Sequence, residues 1–198
     1  VLEKQYNIGK TFYDGYKSKI LGLAIVPSID KAIEILGKMV ENSAYSKYAD
    51  SSQYYLGLSY KKMQQYKEAI EAFQKLLDEY SQSKFAEDAK FQIGQCYMES
   101  APKPAYDQLN TEESIKEFKE LLDSSPESEK SADAGKILDK LKEQKAQSVF
   151  SAAKFYEKLR KFKSAQLYYK QIIDDYPKTS WSIKAVERLE ILKAKRKI

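Results

Sequence analysis

The sequence predicts an all-α fold: antiparallel helix pairs stacked into a right-handed superhelix, an α-solenoid. Three observations predict it. A spaced pattern of small and aromatic residues recurs four times, a hydroxyl residue stands before a new helical segment at four places, and no segment alternates with the period of two that a strand needs.

The frame is clearest at Gln53–Tyr60 followed by Tyr66–Phe73. Gly57 lets two helices approach closely, Tyr60 stands three residues later, Ala69 twelve residues after the glycine, and Phe73 four beyond that. Ile93-Gly94 and Tyr97 repeat it with Ser114, Phe118 and Pro126; Ala152-Ala153 and Tyr156 with Ala165, Tyr169 and Pro177; Ile8-Gly9 and Phe12, less cleanly, with Ala32 and Leu36. The spacing resembles the tetratricopeptide (TPR) repeat. The units fall near residues 2–45, 47–82, 84–127 and 146–179, with 180–195 as a capping helix, in a single array over 1–198.

Helices are expected over 6–16, 29–40, 47–63, 67–79, 84–98, 111–122, 162–174 and 180–195. Ser46, Ser83, Ser128 and Thr179 are the expected N-caps, because a hydroxyl oxygen accepts from an orphan N–H of the first turn. The stretch 131–159 holds no proline, so one long helix is expected there. Pro102 and Pro104 lengthen the loop of the third unit, after which Asn110 and Glu113 suit a capping box. The first unit carries an excess of 11 residues near 18–28, which includes Ile20, Leu21, Leu23, Ile25 and Val26. On the last helix, Ile183, Val186, Leu189, Ile191 and Leu192 are expected on the apolar side, with Lys184, Glu187 and Arg188 outside and Trp181 against the end of the array.

Composition narrows the function. The chain has no histidine and a single cysteine, so it lacks the commonest general base, a zinc set and any internal disulfide. Cys96 sits in an apolar helical stretch and reads as a small core residue. The glycines form no phosphate loop, and neighbouring acids such as Glu112–Glu113 diverge on a helix. An enzyme is not expected, nor any cofactor or metal. No apolar run reaches the roughly 18 residues of a membrane span. Val1 is not an initiator residue, so the chain reads as a mature or trimmed form, and the lack of a signal pattern says little about location. Charge is uneven: residues 131–198 carry a net +9 and the first 130 a net −4. A basic C-terminal third suits an acidic or anionic partner. The cations at 193–197 are read as a solvated helix end favoured by the helix dipole.

Phe150–Tyr156, Phe162–Ala165 and Asp175–Thr179, with Tyr106-Asp107-Gln108 ahead of Thr111 and Ser114–Phe118, resemble the BamD-type outer-membrane assembly lipoproteins. The long helix fits that family too. The resemblance runs from about Lys47 to the C-terminus, and the first 45 residues match poorly. It implies a periplasmic, lipid-anchored scaffold of a β-barrel assembly machine. Two features depart from it: no N-terminal lipidation cysteine is present, and the excess in the first unit is not a family trait.

Candidate partner-binding residues follow. Tyr6, Tyr54, Phe91 and Phe150 occupy one first-helix position in all four units, and Tyr13 lies beyond Tyr6 on the same helix. The functional reading is an aromatic strip that grips a peptide or helix; packing between successive first helices is the plainer reading and the preferred one. Lys61, Lys62, Lys154 and Lys158 offer groove cations without the usual Lys/Asn clamp pattern. Ile20, Leu21, Leu23, Ile25 and Val26 either extend the core or form a hook into a partner. Expected partners are other proteins, as subunits of a larger complex. The alternative is a structural subunit that links copies of another complex into an oligomer, filament or tubule, with self-association. Nucleic acid is not expected, and membrane attachment is expected only through an anchor outside this chain. A periplasmic or otherwise exported place rests on the resemblance, with the cytoplasm left open.

Overall fold

The computed structural model describes residues 1–15, 19–20, 23–24, 29–101 and 108–195. Their helices are α1 (Leu2–Asp14), α2 (Ile29–Asn42), α3 (Ala49–Lys62), α4 (Tyr66–Glu79), α5 (Ala86–Ser100), α6 (Gln108–Ser124), α7 (Glu129–Lys158), α8 (Phe162–Asp175) and α9 (Ser180–Ala194). Each helix packs against the next, and the apolar core is a chain of layers rather than one centre. In addition α1 touches α3, α5 touches α7, and α7 touches α9, which puts the odd-numbered helices on the tighter, inner side of the stack.

The small-to-large frame sets each pair. A methyl group on Gly9 would meet Leu36 at 2.9 Å, one on Gly57 would meet Phe73 at 2.6 Å, and one on Gly94 would meet Phe118 at 2.9 Å. In the fourth unit Ala153 takes the glycine's place and is fully buried beside Tyr169. Ala32, Ala69, Ser114 and Ala165 are also fully buried. Ser114 differs from the alanines by a hydroxyl, and that hydroxyl donates to the Gly94 carbonyl at 2.9 Å, so the polar group is satisfied inside the pair.

The long helix is present: α7 runs for 30 residues and passes straight through Gly135. Its first half packs on α5 and α6 through Ala134, Leu138 and Leu141. Its second half packs on α8 and α9 through Ala146, Val149 and Ala153.

Four details differ from the sequence reading. Ser128 and Thr179 cap α7 and α9, accepting from Ser131 N at 3.1 Å and Ser182 N at 3.2 Å. Ser46 and Ser83 do not cap: a backbone turn, Ala49 N to Ser46 O and Ala86 N to Ser83 O, both 3.0 Å, intervenes, and the helices begin after Tyr48 and Phe85. Ser83 instead donates to Asp50 at 2.8 Å, and Ser46 Oγ has no hydrogen-bond partner among the described residues. Asn110 lies inside the first turn of α6, not at its cap, and its amide donates to Ser100 Oγ at 3.3 Å, tying α6 to the end of α5. A short antiparallel ladder, β1 (Lys19–Ile20) and β2 (Leu23–Ala24), occurs where no strand was expected, with Lys19 opposite Ala24 and Ile20 opposite Leu23. Two-residue strands are too short to leave a periodic signal.

The fourth difference is the face of α9. It buries Ser182, Ala185, Leu189 and Leu192, whereas Ile183, Val186 and Ile191 are exposed. Arg188, expected outside, turns inward to Glu157. Ser182 and Ala185 let the start of α9 approach its neighbours closely, and Leu189 and Leu192 fill the core further along.

Candidate interaction surfaces

Tyr54 and Phe91 are buried in the core. Tyr54 stacks on Phe85 with ring centroids 4.7 Å apart, and Phe91 packs on Phe118 at 5.6 Å. Phe150 is half-buried between Tyr169 and Trp181, at 5.3 and 5.1 Å. These three rings therefore join neighbouring helices. Burial pushes the Tyr54 phenol well above its ordinary range.

Tyr6 and Tyr13 belong to a different arrangement. Tyr6 stacks on Tyr48 at 5.2 Å and meets Tyr55 edge-on at 6.2 Å; Tyr13 meets Tyr55 edge-on at 5.2 Å. All four tyrosines are half-buried, and burial raises the Tyr6 and Tyr13 phenols above their usual range. Lys62 stands 4.0 Å over the Tyr13 ring and donates to its carbonyl at 2.7 Å, while Lys10 lies 5.2 Å over Tyr55. The result is an aromatic surface with two cations between α1 and α3, at the root of the 16–28 connection. Tyr48 and Tyr55 are missing from the sequence reading. The signal was available: Tyr6 and Tyr13, like Tyr48 and Tyr55, are seven residues apart, two helical turns on one face.

Lys61 is not a free groove cation. It donates to Gln92 at 2.9 Å and pairs with Glu99 at 3.2 Å, joining α3 to α5. Lys154 pairs with Glu157 at 3.6 Å. Glu157 also accepts from Tyr169 at 3.0 Å and from Arg188 Nε at 2.9 Å. The Arg188 bonds, then the Tyr169 bond, hold its carboxyl at about 2, against the cost of burial. Lys158 is exposed. Ile20 and Leu23 stand opposite each other in the ladder, while Leu21, Ile25 and Val26 lie outside the described residues.

Cys96 is fully buried, and desolvation pushes its thiol up to about 12. Among the described residues no helix is long and apolar enough to cross a membrane, and no cluster of three or more acids or thiols could hold a metal ion.

The model of the outer membrane lipoprotein family YfiO matches residues 26–197. The chain belongs to this family. The match reaches further back than the sequence resemblance, taking in α2 and leaving out α1 and the ladder. Among solved structures, the TPR domain of P58(IPK) overlays with a TM-score of 0.53 at 15% identity, covering 94% of this chain and 43% of that one. A Podosopora anserina putative kinesin light chain with TPR-like repeats gives 0.51 at 14% identity, covering 98% and 93%. At such identity the likeness shows the fold alone, a TPR solenoid. The YfiO-family chain spans less than half of the P58(IPK) domain it overlays. No curated protein matches it. Family and fold together make this YfiO-family chain a BamD-type TPR protein, a scaffold for protein interaction.

Proposed function

We propose that the chain is a non-catalytic scaffold within an exported assembly, with a BamD-like role in outer-membrane assembly. The observation that carries this reading is the family match over residues 26–197. The array acts as one body, its four units near 2–45, 47–82, 84–127 and 146–179 and a last helix over 180–195. Partner contacts are assigned to the surface of Tyr6, Tyr13, Tyr48, Tyr55 and Lys62, and to the adjoining Ile20–Val26 segment. Half-buried tyrosines beside cations support that assignment, since such rings bring contact area at small entropic cost. The place of action is the periplasmic side of a membrane.

The test is affinity capture of the tagged chain from native envelope fractions after mild crosslinking, read by mass spectrometry. A membrane β-barrel assembly component should be recovered, and Tyr6→Ala with Tyr13→Ala should reduce it. Recovery of soluble cytoplasmic proteins alone would overturn the reading. The second reading, a subunit that links copies of another complex, is favoured by the exposed Ile183, Val186 and Ile191 on α9. Concentration-dependent self-association in sedimentation would select it.

A further inference from the structure

All first-to-second helix connections leave from one edge of the array, because the pairs are antiparallel. Two of them are described and share one geometry. Gln64 and Arg160 both sit at φ 59, and Gln65 N and Lys161 N each bond back five residues, to Tyr60 O and Tyr156 O, at 3.0 Å. Their surfaces differ. In the α3–α4 turn, Lys61 and Lys62 are engaged by Gln92, Glu99 and Tyr13. In the α7–α8 turn, Lys158-Leu159-Arg160-Lys161-Phe162-Lys163 holds four cations and no acid. All four cations are exposed, and none makes an ion pair or side-chain hydrogen bond among the described residues. The nearest acid in sequence, Glu157, faces inward onto Arg188 and Tyr169. Two large apolar side chains stand among these charges, Phe155 at 59% exposure and Leu159 at 48%, one turn apart on the same helix face.

This clustering works against the fold. Lys161 is the N-cap of α8 and Lys163 lies in its first turn, where the helix dipole disfavours cations. α1 to α5 and α7 each place an acid in the first turn; α6, α8 and α9 place none, and of these three only α8 sets cations at both its N-cap and its first turn. Internal packing accounts for neither the unpaired charge nor the bare Phe155 and Leu159.

We propose that the α7–α8 tip docks on an anionic phospholipid bilayer, with Phe155 and Leu159 entering the headgroup region and Lys158, Arg160, Lys161 and Lys163 facing lipid phosphates. Apolar side chains amid basic residues match a membrane interface in both chemistry and charge. The tip gives the chain a membrane contact of its own, beyond the separate lipid anchor that the family resemblance implies. The inference stands whether or not the assembly role is correct.

The test is flotation of the full chain with vesicles of phosphatidylcholine, with and without phosphatidylglycerol. Binding should require phosphatidylglycerol and fall with salt. At about fivefold per charge, Lys161→Glu with Lys163→Glu should weaken it more than tenfold. Phe155→Ser with Leu159→Ser should weaken it severalfold. Circular dichroism should show both variants folded. A polarity-sensitive dye on Leu159→Cys should shift to the blue on vesicles. The same dye on Tyr45→Cys, in the α2–α3 connection at the opposite edge, should not, and buried Cys96 leaves the labelling selective. No binding to phosphatidylglycerol vesicles, unchanged binding after charge reversal, an unshifted dye at 159, or retention on an acidic peptide but not on vesicles would each overturn the proposal.

Discussion

Replacing Gly57 by alanine tests the close approach on which the helix pairs depend. The new methyl would lie 2.6 Å from Cε1 and 2.8 Å from Cδ1 and Cζ of Phe73. Ordinary contact begins at 3.4 Å, so the ring must retreat by 0.8 Å. It has little room, because Phe73 is fully buried among Tyr54, Ala69, Leu76, Ile93 and Cys96. Overpacking of this kind costs about 1–3 kcal/mol. Alanine's better helix propensity returns about 1 kcal/mol, which leaves a net loss of about 1 kcal/mol. Gly37→Ala is the matched control: it is also a helical glycine, but its methyl would meet nothing within 4 Å. It should gain about 0.5–1 kcal/mol. At about 2–4 °C per kcal/mol for a chain of this length, Gly57→Ala should melt a few degrees below the parent and Gly37→Ala a few above it. Phe73→Leu in the Gly57→Ala background should cost less than it does alone, since the smaller side chain relieves the clash. Differential scanning calorimetry on the parent and the four variants reads these shifts. A Gly57→Ala variant that melts at or above the parent would show that the two helices are not in the contact described.

Three more outcomes are expected. Glu157→Gln should destabilise the α7–α8–α9 junction by about 1–3 kcal/mol at neutral pH. Its folded pKa lies below the unfolded one, so this stability is present above about pH 4.5 and fades as pH falls towards 2; urea midpoints of parent and variant should converge over that window. Cys96 should stay inert to a thiol reagent at neutral pH in the folded protein and react once urea unfolds it; prompt native reaction would mean that the α3–α5 layer opens readily. Deleting residues 20–26 should leave the melting temperature unchanged and abolish partner capture if the segment is a hook; lost stability with retained capture would make it part of the core.

The fold was legible because its frame depends on side-chain size at fixed spacing, and the less legible parts obey a second frame. Counted from Ser46, Ser83, Ser128 and Thr179, the residues six, ten and thirteen positions on are Ser52, Leu56, Ser59; Ala89, Ile93, Cys96; Ala134, Leu138, Leu141; and Ala185, Leu189, Leu192, and all twelve are buried. Each hydroxyl turn therefore heads a helix with the same inward face, although only two of the hydroxyls cap it. The residue eleven positions on separates the four. It is Gly57 in α3 and Gly94 in α5, and there a second helix presses Phe73 or Phe118 into the gap. It is Asp139 in α7 and Glu190 in α9, both exposed. An acid cannot accept a buried aromatic at that distance, so no second helix can close on that face. This explains the two features that a simple count of repeats misplaces. α7 begins as the first helix of a unit, meets Asp139 where glycine is needed, and continues for four more turns until Ala153 provides the small surface that α8 packs against. In α9 the exposed Glu190 stands where α3 and α5 have glycine, on the side of the helix that leaves Ile183 and Val186 outside. The surfaces for partners were less legible for a related reason. Neighbouring residues on a helix are about 100° apart, so Tyr54 enters the core while Tyr55, one position on, joins α1 to α3. Which of two adjacent tyrosines faces outward is decided by the neighbouring helix, and a pattern within one helix does not contain that information.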